Sequence, residues 1–152
     1  MSTGAMPPSV VAVLALFDAV DRRDVDDLVA LLDEDVLVRP PGFLLGKREE
    51  HGRAAVIAGF ADLESVIGRD RELEFRNRRF FVDGADESKV LAVSEMRISV
   101  ERGLPFGAEA VMLVTFAAGK ATSLESCATR EEGLALLSDP TEVVVEPGSE
   151  SA

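Results

Sequence analysis

Hydrophobic and polar positions repeat with two different periods along this chain. Helical spacing governs the first half and strand-like spacing the second. Val10, Val13, Leu14, Phe17 and Val20 recur every three to four residues and predict a helix, with Ser9 as its cap after Pro7-Pro8. Arg22-Arg23 close it. Asp24 then caps a second helix whose inner face is Val25, Leu28, Val29 and Leu32, and Asp26 and Asp27 lie in its first turn, where the helix dipole favours negative charge. Val36 to Val38 reads as a short strand, stopped by Pro40-Pro41-Gly42 because prolines cannot continue a ladder. Phe43 to His51 is a loop with an apolar front and a charged back. A third helix runs from about Gly52 to about Ile67, with Val56, Ile57, Phe60, Leu63 and Ile67 on one side.

The period then changes. Leu73 to Val82 and Lys89 to Val100 read as strands joined by a turn at Asp83 to Asp86. Val111 to Phe116 is almost wholly apolar, which predicts a strand buried on both faces. Ala117-Ala118-Gly119-Lys120 turns the chain back into Thr122 to Thr129, with Gly119 where a short hairpin needs positive φ. On this hairpin Met112, Val114, Leu124 and Ser126 are expected to look inward. Val111, Leu113, Thr115 and Cys127 are expected to look outward, toward a partner subunit. Arg130 to Leu137 closes as a short helix, and Val143 to Val145 could add an edge strand. The order predicts an α+β fold, a cone with helices on the concave face of a curved, mostly antiparallel sheet and a cavity between them. The expected division is one domain over 9–137, a leader over 1–8 and an acidic tail over 138–152.

Composition narrows the function. A chain of 152 residues is large enough for a real core, and its net charge of −12 argues against nucleic acid and anionic membrane surfaces as partners. Val10 to Phe17 is too short to span a membrane and lacks the basic start of a secretory signal. One cysteine, Cys127, excludes an internal disulfide and fits a reducing cytoplasm, and one histidine, His51, excludes a His-rich zinc site. No metal and no cofactor is expected. Cys127 reads as a small buried residue rather than a nucleophile. The run Arg76, Arg78, Arg79 reads as a solvated face balancing Glu72 and Glu74, with an anion clamp as the alternative.

Three phrases carry a resemblance: FDAVDRRDVDDLVALLDEDVLV (Phe17 to Val38), HGRAAVIAGF (His51 to Phe60) and TFAAGKATSLESCATREEGLALL (Thr115 to Leu137). In this order and spacing, from Val10 to Leu137, the chain resembles the nuclear transport factor 2-like superfamily, SnoaL-like branch. Relatives there include polyketide cyclases, ketosteroid isomerases and limonene epoxide hydrolases. The resemblance implies a homodimer through the outer sheet face and a mostly apolar small molecule in the cone. The positions matching the isomerases' proton-transfer groups are Leu16, Pro40 and Met112. None can do that work, and the chain has no Tyr. The positions matching the hydrolases' constellation are Val93, Glu95 and Ser126, so one acid of three is kept.

Arg97 follows Glu95 by two residues and so shares its side of the strand. If that side faces the cavity, Glu95 is the catalytic candidate for general base and Arg97 its orienting partner. If Met96, Ile98 and Val100 are the core set instead, the pair is solvated. The expected pocket lining is Val13, Phe17, Phe60, Leu63, Met112, Val114, Leu124 and Ser126. The function implied is cofactor-free isomerisation, cyclisation, dehydration or hydrolysis of a mostly apolar substrate; the alternative is a non-catalytic ligand-binding or dimerisation module.

Overall fold

A computed structural model describes residues 7–39, 49–67, 73–98 and 106–143. The first apolar stripe becomes α1 (Pro8–Asp21), which buries Val10, Val13, Leu16, Phe17 and Ala19. Its start differs from expectation. Pro7 is the N-cap and Pro8 opens the helix on the φ its ring already fixes, so Ser9 lies inside the first turn and caps nothing. At the far end Arg23 takes φ 53°, and the Asp24 amide donates to the Ala19 carbonyl at 2.9 Å. Asp24 then caps α2 (Val25–Ala30) by accepting from the Asp27 amide.

The remaining elements are β1 (Leu32–Arg39), β2 (Glu50–His51), α3 (Arg53–Ile67), β3 (Leu73–Asp83), β4 (Lys89–Ile98), β5 (Phe106–Ala117), β6 (Lys120–Cys127), α4 (Arg130–Ala135) and β7 (Pro140–Val143). The strands form one sheet in the order β2-β1-β6-β5-β4-β3-β7. Among the described strands only β1 and β6 pair in parallel. β1 is longer than the sequence suggests. Leu32, expected on the inner face of α2, lies beyond that helix, opens β1 and pairs with Ala121, and a register shift before Leu37 absorbs Asp33 to Asp35. The β5–β6 turn is as expected at Gly119 (φ 79°), and Ala118 shares its left-handed conformation at φ 52°. The tail contributes β7, which pairs Val143 with Phe80. Val144, Val145 and the loop tip Phe43 to Leu45 lie outside the described residues.

The sheet is covered on both faces. On one, α1 and α2 pack with Phe80, Val82, Val90, Ala92, Val114 and Ala121. On the other, Phe81, Leu91, Val93, Val111 and Leu113 lie under Leu134 of α4 and under Leu137. Gly133 of α4 lies so close that a Cβ there would stand 2.7 Å from Leu91 Cδ1 and 2.9 Å from Val111 Cγ1. The doubly apolar strand is therefore accounted for within a single chain. The apolar rows assigned to a partner are occupied by α4 and Leu137.

Two local devices fix the β3 side. Pairing runs from Arg76–Glu95 to Arg79–Val93, so β3 carries an extra residue, and Asn77 takes φ 54°. The bulge separates the basic run. Arg78 turns inward, paired with Asp21 and 5.1 Å over the Phe17 ring. Arg79 turns outward, bonded to Glu142 at 2.8 Å and over Phe81. Further on, Asp83, 1% exposed, accepts from the amides of Ala85, Ser138 and Asp139 at 2.9, 3.0 and 3.1 Å. These bonds tie the segment between α4 and β7 to the β3–β4 turn, and they hold the Asp83 carboxyl below the usual carboxylate range. Among the described residues no helix is long and apolar enough to cross a membrane.

Candidate functional site

Strand pleat and register decide what faces the helices. β4 and β5 pair without a shift from Lys89–Thr115 to Ile98–Phe106. Leu91 and Val93 belong to the outer cluster and Val90 and Ala92 to the inner one, so strict alternation sends Ser94 and Met96 inward. Both are buried. On β5 and β6, Met112 pairs with Ser126 and Val114 with Leu124; Met112, Val114 and Leu124 all pack on the inner cluster, so Ser126 shares that face. Val38 of β1 lies beside Leu124. The inner wall thus has two parts. Under α1 it is filled by Val10, Val13, Phe17, Phe80 and Val90. Beyond that it continues as Ser94 and Met96, closed over at 4% and 1% exposure, and as the half-buried Met112, Leu124 and Ser126. The Ser126 Oγ is buried and has no hydrogen-bond partner among the described residues.

The same alternation sends Glu95 and Arg97 to the outer face, and this corrects the idea that they anchor a ligand inside the cone. Glu95 pairs across the sheet with Glu109, whose carboxylate accepts from Arg130 of α4 on that face at 2.9 Å. Arg97 Nε donates to Glu95 Oε1 at 2.6 Å, and Asn77 Nδ2 donates to Glu95 Oε2 at 3.2 Å. With side-chain exposures of 48% and 39%, Arg97 and Glu95 form a solvated pair worth little to stability. The physical reason is register: Met96 belongs to the buried set, so its two neighbours cannot. Val93 also faces outward, so the hydrolase matches on β4 fall on the outer set.

Of the expected lining, Met112, Leu124 and Ser126 face inward beyond α1, while Val13, Phe17 and Val114 are core beneath it. Phe60 and Leu63 are on α3, but their side chains lie outside the described residues. Of the isomerase matches, Leu16 is buried on α1, Met112 faces inward, and Pro40 lies outside the described residues. The alternative reading of β4, with Met96 in the core set and Glu95 and Arg97 solvated, is the one the register supports, and Ser94 joins Met96 on the buried row.

The remaining reactive groups are placed elsewhere. Cys127 packs on the outer cluster, and burial, then Glu132 and Glu125, push its thiol up, away from nucleophile chemistry. His51 is exposed at the β2 edge, 3.5 Å from Glu49, which also binds Arg39 at 2.6 Å. Arg53 anchors the start of α3 by donating to the Leu32 carbonyl at 2.7 Å. Along the described inward positions of β3 to β6 the one ionisable side chain is Arg78, whose exposure is 13% and which Asp21 neutralises. Among the described residues no group of three His, Cys, Asp or Glu side chains is placed to hold a metal ion.

A curved, open sheet with helices on its inner face and this strand order is an α+β cone of the nuclear transport factor 2-like type. The chain belongs to the SnoaL-like domain family, whose model matches residues 13–124. Solved structures agree in fold. TerC, co-crystallised with polyporic acid, is 24% identical, with a TM-score of 0.65 over 79% of this chain and 90% of its own. A candidate polyketide cyclase from Xanthomonas campestris pv. campestris is 18% identical, with a TM-score of 0.66 over 84% and 95%. Rv0760c from Mycobacterium tuberculosis, in complex with estradiol-17β-hemisuccinate, is 14% identical, with a TM-score of 0.62 over 84% and 98%. A search of curated protein sequences finds no match.

Proposed function

We propose that this SnoaL-like protein binds a mostly apolar small molecule against the inner wall formed by Ser94, Met96, Met112, Leu124 and Ser126. The observation that carries the reading is that wall. It is apolar and methionine-rich, with hydroxyls at two points, and unbranched methionines re-pack readily around a guest. The ring systems of polyporic acid in TerC and of estradiol-17β-hemisuccinate in Rv0760c support an apolar ring as the body of the ligand, although both of those ligands carry acidic groups for which the described wall here has no counter-charge.

The second reading, a cofactor-free cyclase or isomerase, is favoured by candidate polyketide cyclases among the similar structures. It needs a group that moves a proton beside the ligand. Glu95, the base chosen from the sequence, faces away from the wall, and Arg78 is committed to Asp21. Binding is therefore the reading that the described residues support. A homodimer belongs to the proposal only in a narrowed form. With the apolar outer rows under α4, the contact would fall on the charged row of Glu95, Arg97, Glu109 and Arg130. A cytoplasmic setting is proposed from the lone, unpaired Cys127.

Native mass spectrometry reads both points. After incubation with estradiol, a neutral and mostly apolar polycycle, the expected spectrum shows one estradiol per chain. A bare chain mass at about 10 μM estradiol, inside the roughly 1 μM–1 mM span of ordinary substrate KM values, contradicts the binding reading. A species of twice 16.3 kDa would support the dimer.

A further inference from the structure

Resting on the binding reading above, we infer that Ser126 is a specificity-determining contact. It selects a neutral ligand that carries a hydroxyl or carbonyl oxygen on the part seated against β5 and β6. The Ser126 Oγ is buried in the inner wall and, among the described residues, bonds to nothing. A hydroxyl removed from water without a partner destabilises the fold, and native proteins seldom keep one without cause. Alanine would fill the same place without that cost. Its neighbour on the sheet is Met112, half-buried and packed on the inner cluster. A thioether chain with several rotatable bonds is the kind of cover a guest can displace.

The hydroxyl can donate to a carbonyl or accept from a hydroxyl, so it reads the presence of oxygen rather than its type. Charge is selected against by the surroundings. The one ionisable side chain at the described inward positions of β3 to β6, Arg78, is already paired with Asp21 and stacked on Phe17. A carboxylate or ammonium placed against Met112 and Leu124 would lose its water with no counter-charge in return.

The test compares 2-naphthol with naphthalene, one oxygen apart, on the wild-type protein and on Ser126→Ala. Dissociation constants come from fluorescence titration and unfolding temperatures from a thermal melt of the free proteins. In the wild type the hydroxyl group of the probe contributes a hydrogen bond. The ratio of the naphthalene to the 2-naphthol constant should fall by about tenfold in Ser126→Ala. The free variant should melt at the same temperature as the wild type or higher, because it no longer buries an unpaired hydroxyl. An unchanged ratio with both probes bound overturns the assignment of Ser126 while leaving the pocket intact. A lower melting temperature overturns it too, since it would show that the hydroxyl is satisfied within the chain. Binding of neither probe to the wild type overturns the pocket, and this inference with it.

Discussion

At the scale of single residues, the informative groups are the polar ones that the apolar pattern does not explain. Asp83 was legible in the sequence only as part of a turn. Its three partners include the amides of Ser138 and Asp139, more than fifty residues on, and no local pattern predicts that pairing. Replacing Asp83 by Ala leaves three amides without their acceptor, and the melting temperature at pH 7 should drop by several degrees. The sign of the pH dependence follows from the direction of the shift. A carboxyl held low in the folded state stabilises it above the unfolded value, about 3.9 for Asp, and loses that contribution as pH falls through the folded value. The gap between wild type and variant should be constant from pH 6 to 8, and should close below about pH 4. A gap that persisted unchanged at pH 3 would show that the carboxylate charge is irrelevant. Glu95 teaches the opposite lesson. Its chemistry was apparent, but the face it occupies depended on which alternating set was buried, and the deep burial of Met96 decides that.

At the scale of elements, the helices and the hairpin were readable because each carries its own period. α1 follows from Val10, Val13 and Phe17, and the β5–β6 turn from Gly119. Parallel pairing of β1 with β6 joins segments some ninety residues apart, so Leu32 fitted the helical spacing of α2 and nothing local placed it in a strand. The place of α4 was equally hidden. Its sequence predicts a helix, but its seat on the outer face is set by Gly133, where the absence of a side chain lets the backbone meet Leu91 and Val111. Two effects compete when Gly133 becomes Ala. Helix propensity favours Ala by about 1 kcal/mol, whereas forcing a methyl into a filled core costs about 1–3 kcal/mol. Leu91 is fully buried and cannot swing aside, so the second should win. Gly133→Ala is expected to lose about 1 kcal/mol in denaturant unfolding. A gain would mean that α4 is not packed on Leu91.

At the scale of the whole molecule, the two faces of the sheet have separate duties. Among the described residues, the apolar rows of the outer face lie under α4 and Leu137, and exposed ion pairs form the row beside them. The inner face is closed under α1, and beyond it continues as the wall of methionines and serines. The order of elements made the cone legible. The wall was only half legible, because Met112, Leu124 and Ser126 follow from the hairpin while Ser94 and Met96 needed the β4–β5 register. Methyl-selective NMR during titration with 2-naphthol reports on both faces at once. Signals of Met96, Met112 and Leu124 should shift, and those of Leu91, Val93, Val111 and Leu113 should stay in place. Shifts confined to the second set, or no shifts at saturating probe, would contradict binding at the inner wall.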